Sequence, residues 1–162
     1  MAQNRAIIII GSGGDEEFTM PLRSTLKKLG VAYELRVASA HKTPQKLLRM
    51  LEEYERSGDN IVYISVAGRS NALSGFVDAN TRYPVIACPP QSDKFGGADI
   101  YSSLRMPSGV SPLVVLEPEG AALAAAKIFA LSSSEACERV LSYQRGVKDK
   151  VELDDKKLRE AE

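Results

Sequence analysis

The sequence of 162 residues has no tryptophan, only two cysteines and a single histidine. Cys88 and Cys137 are too few and too far apart for a disulfide framework or a zinc site, so a buried or partly buried free thiol is the ordinary interpretation of each. Because 21 basic residues balance 21 acidic ones, we expect no overall field that attracts nucleic acid or a membrane surface. The composition therefore predicts a metal-free protein in which imidazole chemistry has one candidate, His41.

Long apolar segments are absent as well. The run Ala6–Ile10 near the amino terminus is far too short for a signal peptide or a membrane span. No internal repeat, low-complexity stretch or long linker interrupts the chain. We therefore expect a cytoplasmic protein with one domain over residues 1–162, ending in a charged, helical tail from about Lys148.

The chain does contain short apolar runs that alternate with segments of helical periodicity. Helical spacing follows the first run, with Pro21 either in the first turn or at a kink and Gly30 as the stop. Thr43-Pro44 is typical of an N-cap followed by proline at the first helical position. The predicted strands are Ala6–Ile10, Val31–Ala38, Ile61–Val66, Pro84–Ala87 and Leu113–Leu116; the later predicted helices are Gly120–Leu131 and one that begins after Ser133 or Ser134 and extends to about Lys148.

The strands differ in their exposure patterns. Ala6–Ile10 is apolar throughout, as in a strand buried on both faces, whereas Val31–Ala38 alternates apolar and polar residues, as at a sheet edge. This contrast predicts a flavodoxin-like α/β fold: a three-layer α/β/α sandwich around a parallel five-stranded sheet in the order 2-1-3-4-5. Ligands in such sheets bind beyond the carboxyl ends of the strands, which directs attention to the loops after strands one, two and three.

The first of these loops is Gly11-Ser12-Gly13-Gly14-Asp15. Its glycines would let backbone amides approach an anion, and Ser12 could donate a hydrogen bond to a phosphate. The loop is neither a Walker loop nor a dinucleotide fingerprint. A phosphate site and a plain strand-to-helix turn capped by Asp15 are equally consistent with the pattern.

The second and third loops are polar. His41 precedes a predicted helix amino terminus, where a neutral imidazole suits proton transfer, and Ser39 and Lys42 beside it could bind an anionic substrate. In the third loop, Ala67-Gly68-Arg69-Ser70-Asn71, the arginine is either a carboxylate clamp or an ordinary surface residue. Together the three loops predict a site for a small phosphorylated ligand.

The motifs in these loops resemble those of the phosphoribosylaminoimidazole carboxylases of purine biosynthesis. The first loop is similar to the family's Gly-Ser-x-Ser-Asp turn, with Gly14 in place of the second serine, and Ser39-Ala40-His41-Lys42 resembles its Ser-Ala-His-Arg/Lys signature. The similarity continues through Tyr83–Pro90 and Ser102–Gly109. Two types of enzyme belong to this family: a mutase that moves a carboxylate from the exocyclic nitrogen to a ring carbon, and an animal type that uses carbon dioxide directly. Lys42 and Ala67–Asn71 match the animal type.

The resemblance implies a role for each loop. His41 would remove a proton, Ser12, Ser39 and Lys42 would hold a 5′-phosphate, and Asp15 would bind the ribose hydroxyls. Ala67, Gly68 and the segment Arg69–Asn71, including Ser70, would form a pocket for carbon dioxide or carboxylate; Gly13, Gly14 and Ala40 complete the set of substrate-binding residues.

The resemblance also implies that the reaction needs no cofactor, ATP, biotin or metal, and that the chain forms a homo-octamer. Gly120–Leu131, which is apolar nearly all round, would then be either a subunit contact or a central core helix. The alternatives for function are the mutase of the same family and a flavin- or nucleotide-binding module on a flavodoxin-like sheet.

Overall fold

The computed structural model describes residues 2–161, so the ends of the predicted domain, Met1 and Glu162, lie outside the described residues. Five parallel strands form one sheet in the order β2-β1-β3-β4-β5, which confirms the predicted architecture. Each predicted strand is present, with its ends shifted by at most two residues. The strands are β1 (Asn4–Ile10), β2 (Ala32–Val37), β3 (Asn60–Val66), β4 (Val85–Ala87) and β5 (Leu113–Val114).

Helices cover both faces of this sheet. Short 3₁₀ turns form at Gly13–Asp15 and Glu17–Thr19, whereas the segment Lys94–Ile100 is helical only in part, because Phe95, Gly96 and Gly97 within it have positive φ. The helices are α1 (Met20–Lys28), α2 (Pro44–Arg56), α3 (Ala72–Asp78), α4 (Tyr101–Leu104), α5 (Pro118–Ala130) and α6 (Ser134–Glu160).

Strand β1 explains why the core has two halves. Successive side chains of a strand point to opposite faces, so Ala6, Ile8 and Ile10 enter the apolar cluster that includes α1 and α5 residues, while Ile7 and Ile9 enter the cluster that includes α2 and α3 residues. All five side chains are at most 1% exposed. A strand covered on both faces must be apolar at every position, which is why this run does not alternate.

The register of β1 aligns the carboxyl ends of three strands. Ile10 pairs with Val37 of β2 and with Val66 of β3. At the opposite end of β1, Arg5 forms an ion pair with Asp59, and Asn60 Nδ2 donates to Asn4 Oδ1 over 3.0 Å. The loops after β1, β2 and β3 therefore begin at the same level on one edge of the sheet.

Helix α1 begins two residues later than the position of Phe18 suggests, because two 3₁₀ turns occupy the start of this segment. Pro21 lies in its first turn, so the first-turn alternative holds and no kink is needed. Gly30 follows the helix with φ of +65°, the left-handed conformation that ends helices.

Helix α2 begins at Pro44, directly after Thr43, as predicted. The side chain of Thr43, however, makes no capping hydrogen bond to the helix. Its hydroxyl bonds back to Ser39 instead. Thr43 is therefore the N-cap by position, as predicted, but its hydroxyl closes the preceding turn and does not cap the helix.

Helix α5 packs between α1 and α6. Most of its alanines are buried, which supports the core alternative for this apolar segment. Its small side chains allow close approach to its neighbours. The buried residues on α5 are Pro118, Ala121, Ala122, Ala125, Ala126 and Phe129.

Helix α6 does not end near Lys148 but continues without a break to Glu160. Of the two candidate caps, Ser133 is the one used, and its hydroxyl accepts from the Ala136 N–H at 3.2 Å. Exposed pairs such as Lys156–Glu160 at 3.7 Å follow the i,i+4 spacing that supports solvated helices. Across residues 2–161, no helix is both long and apolar enough to cross a membrane.

Candidate active site

The three loops after β1, β2 and β3 surround one cavity of about 650 Å³ at the carboxyl edge of the sheet. Gly11 brings the first and third loops together, since a Cβ on this residue would lie 3.4 Å from Ala67 Cβ. The Gly11 N–H also donates to the Val66 carbonyl at 2.9 Å. The cavity is lined by Gly11, Ser12, Gly14, Asp15, Ser39, Ala40, His41, Lys42, Ala67, Gly68, Arg69, Ser70 and Leu73.

This lining brings together all of the predicted site residues except Gly13 and Asn71. Gly13 is exposed on the outside of the first turn, whereas Asn71 is only 4% exposed. Gly11 and Leu73 were not predicted. Gly11 could have been found as the residue that ends the apolar run, but Leu73 belongs to α3, a short helix that the sequence pattern did not reveal.

In the first loop, Asp15 holds Ser12 in place. The Asp15 carboxylate accepts from the Ser12 N–H at 3.1 Å and from Ser12 Oγ at 3.0 Å. The turn capped by Asp15 is therefore present. Both residues also line the cavity, so the turn fixes the Ser12 hydroxyl and the Asp15 carboxylate beside it.

The second loop is closed on itself by two side chains. Ser39 N–H donates to Thr43 Oγ1 at 2.9 Å, and the Thr43 N–H donates back to the Ser39 carbonyl at 2.9 Å. Ser39 Oγ accepts from the Lys42 N–H at 3.2 Å. His41 and Lys42 are thus held at the tip of a closed turn, with their side chains exposed at the cavity.

The third loop ends in a helix cap. Asn71 Oδ1 accepts from the Ser74 N–H at 3.2 Å and so begins α3, and Asn71 Nδ2 donates to Ser103 Oγ at 2.9 Å. This side chain is used for structure and does not face the cavity. Arg69 has φ of +57°, an unusual value for a residue with a Cβ, and its side chain is exposed beside Ser70.

A second cavity of about 450 Å³ adjoins the first and shares Ala67, Gly68 and Arg69 with it. Its outer wall comes from the loop after β4, including Pro90 and Gln91, and from the 3₁₀ segment that follows. The segment 106–109 lines neither cavity.

Cys88 lies at the end of β4 and is fully buried, with its Sγ 3.7 Å from the Leu116 carbonyl. Burial, with a smaller contribution from the charges of Glu117 and Glu119, raises the pKa of the Cys88 thiol to about 12. The thiol therefore stays protonated at neutral pH and does not act as a nucleophile.

The chemical character of the cavity follows from these contacts. Among residues 2–161, no group of three or more histidine, cysteine, aspartate and glutamate side chains is arranged to hold a metal ion. Apart from the His41 imidazole, no aromatic ring of the described residues lines the cavity, so it offers no stacking platform for a flavin. The lining provides one imidazole, one ammonium group, one guanidinium group, one carboxylate, several hydroxyls and a few small apolar side chains.

A family model described as AIR carboxylase matches residues 5–150. The chain belongs to the AIR carboxylase family. The match spans all three loops of the candidate site and confirms the resemblance seen in the sequence.

Relatives in this family cover nearly the whole chain. It is 54% identical over 155 residues to the phosphoribosylaminoimidazole carboxylase of Archaeoglobus fulgidus, covering 96% of this chain and 85% of that protein. It is 52% identical over 153 residues to the Treponema denticola protein of the same name, covering 94% and 96%. Identity to the human bifunctional phosphoribosylaminoimidazole carboxylase/phosphoribosylaminoimidazole succinocarboxamide synthetase is 40% over 159 residues, which cover 98% of this chain but only 37% of the human protein.

A solved structure of an AIR carboxylase relative has the same fold. The crystal structure of Treponema denticola PurE matches with a TM-score of 0.93 and 51% sequence identity, covering 95% of this chain and 98% of that one.

The contribution of the Thr43 hydroxyl to the closed turn that carries His41 can be tested by substitution. Thr43→Val removes the hydroxyl that bonds to Ser39 and should lower the free energy of unfolding by about 1 kcal/mol. It should also speed exchange of the Ser39 amide hydrogen, because that N–H loses its acceptor. Urea denaturation and NMR-detected amide exchange measure the two effects. Thr43→Ser keeps the hydroxyl and is the matched control; equal exchange in the two variants would contradict the assignment.

Proposed function

We propose that this chain carboxylates 5-aminoimidazole ribonucleotide with carbon dioxide, giving 4-carboxy-5-aminoimidazole ribonucleotide in purine biosynthesis. The observation that carries the proposal is the convergence of His41, the Ser12–Asp15 pair and residues 67–70 on one cavity in a member of the AIR carboxylase family. The names of the relatives support the substrate and the carboxylation.

In the proposed binding mode, each part of the substrate contacts a different set of residues in the cavity. Ser12, Ser39 and Lys42 hold the 5′-phosphate, where the ammonium group and the hydroxyls suit an anion. Asp15 accepts hydrogen bonds from the ribose hydroxyls. His41 projects from the second loop toward the base, and residues 67–70 receive carbon dioxide, for which the small side chains of Ala67 and Gly68 leave room.

The proposed reaction has two steps. The exocyclic amine of the substrate pushes electron density onto the adjacent ring carbon, which attacks the carbon atom of carbon dioxide. A carbon–carbon bond forms, and one carbon–oxygen π pair moves to oxygen to give a carboxylate. The ring carbon now bears both a hydrogen and the carboxylate. His41 accepts that proton, and the C–H electron pair returns to the ring and restores aromaticity.

Residues 67–70 stabilise the carboxylate as it forms. Backbone amides and the Ser70 hydroxyl are fixed donors, and fixed donors stabilise a developing charge because they need no reorganisation during the step. The atoms and electron pairs in this scheme come from the substrate and carbon dioxide, and the imidazole accepts the proton. The proposal therefore includes no ATP, biotin or metal.

We also propose that the chain acts in the cytoplasm as a homo-octamer, as the resemblance implies. Exposed apolar side chains along α6 support contacts between copies, because solvated helices seldom carry them in series. Val147 is 52%, Val151 65% and Leu158 71% exposed in the single chain.

The carboxyl donor is tested by measuring consumption of 5-aminoimidazole ribonucleotide while carbon dioxide is varied at fixed pH without ATP. The direct carboxylase should show saturable turnover that follows carbon dioxide. The carboxyamino isomer is offered in a parallel reaction, with its spontaneous decarboxylation subtracted. Fast conversion of the isomer that ignores added carbon dioxide would mean that the enzyme is the mutase, despite Lys42 and residues 67–71.

The role of His41 is tested with His41→Asn. Turnover should fall by about 10²–10⁴-fold, the usual contribution of a general base, because asparagine cannot accept the ring proton. The fold should be unchanged because the side chain is exposed. Lys42→Gln is the comparison variant: it should raise the KM for the nucleotide while retaining most of kcat. A His41→Asn enzyme with wild-type kcat would remove this residue from the chemistry.

The departure from the family pattern at Gly14 gives a further test. A Cβ here would lie 3.6 Å from Ser12 Oγ, an ordinary contact, so Gly14→Ser fits and adds a hydroxyl at the cavity. A hydrogen bond to a charged group contributes about 1.5–3 kcal/mol, so the KM for the nucleotide should fall by about tenfold to hundredfold.

Gly13→Ser is the matched control for this substitution. A Cβ on Gly13 meets nothing within 4 Å and Gly13 does not line the cavity, so its KM should stay at the wild-type value. Equal KM values for the two serine variants would show that the phosphate does not lie at this turn.

A further inference from the structure

Ser102, the second residue of α4, bonds to the third loop of the site although the two are more than thirty positions apart in the sequence. Its Oγ accepts from the Asn71 N–H at 3.0 Å. The same oxygen lies 2.9 Å from the Arg69 carbonyl and 2.7 Å from the Asp99 carbonyl, so its single proton serves one of these two acceptors. One hydroxyl therefore joins the Asn71 amide to α4 and lies within hydrogen-bond distance of the Arg69 carbonyl on the other side of Ser70.

The backbone held by Ser102 is an unusual one. Arg69 has φ of +57°, a region that is strained for a residue with a Cβ and that persists only where the surroundings impose it. The contacts with Ser102 lie directly at this point, on the carbonyl of Arg69 and on the amide two residues later. They are thus placed to keep the chain from relaxing to a conformation with negative φ.

Residues 67–69 lie between the cavity that His41 lines and the second cavity beside it. Arg69 lines both of them, together with Ala67 and Gly68. Ser102 lines neither. Ser102 instead borders a further cavity together with Arg69 and Ser70, so a change at Ser102 would reach the cavity that His41 lines through residues 69–71.

We propose that Ser102 is a positioning residue: it fixes residues 69–71 so that their amides and the Ser70 hydroxyl meet the carboxylate that forms beside His41. This inference rests on the proposed function and adds a specific residue to it. Ser103 differs from Ser102 because its hydroxyl accepts from the Asn71 side-chain amide and not from the main chain. The Asn71 Oδ1 caps α3 without any contribution from Ser103.

The test compares Ser102→Ala, Ser102→Thr and Ser142→Ala. Ser142 is exposed on α6 and makes no side-chain hydrogen bond within residues 2–161, so its variant is the control. Three quantities are measured for each: kcat and the KM for 5-aminoimidazole ribonucleotide, the exchange rate of the Asn71 amide hydrogen, and the melting temperature. Ser102 is partly exposed, so water can reach the groups that Ser102→Ala leaves without a partner, and this variant should fold.

We expect Ser102→Ala to lower kcat by about tenfold to hundredfold, the range for small misplacements of reacting groups, with a much smaller change in KM. The Asn71 amide should exchange faster than in the wild type, because the hydroxyl that accepts its hydrogen bond is gone. Ser102→Thr keeps the hydroxyl and should restore both values.

Two results would overturn the inference. One is a Ser102→Ala enzyme whose kcat or Asn71 exchange rate equals that of Ser142→Ala. The other is a threonine variant as impaired as the alanine variant, since the hydroxyl would then not be responsible. A wild-type enzyme that does not carboxylate the nucleotide would instead overturn the proposed function, so the two failures are distinguishable.

Discussion

Ile10 pairs with Val37 on one side and with Val66 on the other, and every part of the candidate site depends on this register. It brings three loops to one level, so that short turns of about five residues are enough to surround a nucleotide-sized space. Parallel pairing imposes this arrangement, because each strand must leave the sheet at the same edge. The chemistry then depends on which side chains follow the strand ends.

In each loop, the backbone is held by side chains that are not the proposed reacting groups. Asp15 fixes Ser12, Thr43 closes the turn that carries His41, and Asn71 and Ser102 fix the segment around Ser70. All of these bonds run from a short polar side chain to a nearby main-chain group, apart from the one between Asp15 and the Ser12 hydroxyl. Such bonds order a loop with little burial, which leaves the cavity open to a polar substrate.

The sequence was sufficient to predict the sheet, since an apolar run ended by Gly11 and an alternating run beside it specify a central and an edge strand. It also predicted the three loops, because parallel topology places the carboxyl ends of β1, β2 and β3 together. It did not reveal α3, which is short and contains both serine and glycine, residues that weaken a helical pattern. Nor could it reveal the hydrogen bond of Ser102 with Asn71, because spacing along the chain carries no information on a bond between residues far apart in the sequence. The helical character of the charged tail was predicted, but the sequence did not reveal that the tail and the preceding helix form one unbroken helix, α6.

The four consecutive isoleucines of β1 carry almost no information about their own alignment. A slip by one position would leave isoleucine at three of the four isoleucine positions, and both faces of β1 are buried, so the hydrophobic effect distinguishes the native pairing only weakly from its neighbour. Residues at the two ends make the distinction: the ion pair of Arg5 with Asp59 at one end, and the close fit of Gly11 against Ala67 at the other. The buried strand β1 thus owes its alignment to the residues that flank it, and a change among them would displace a loop of the candidate site at the carboxyl edge of the sheet.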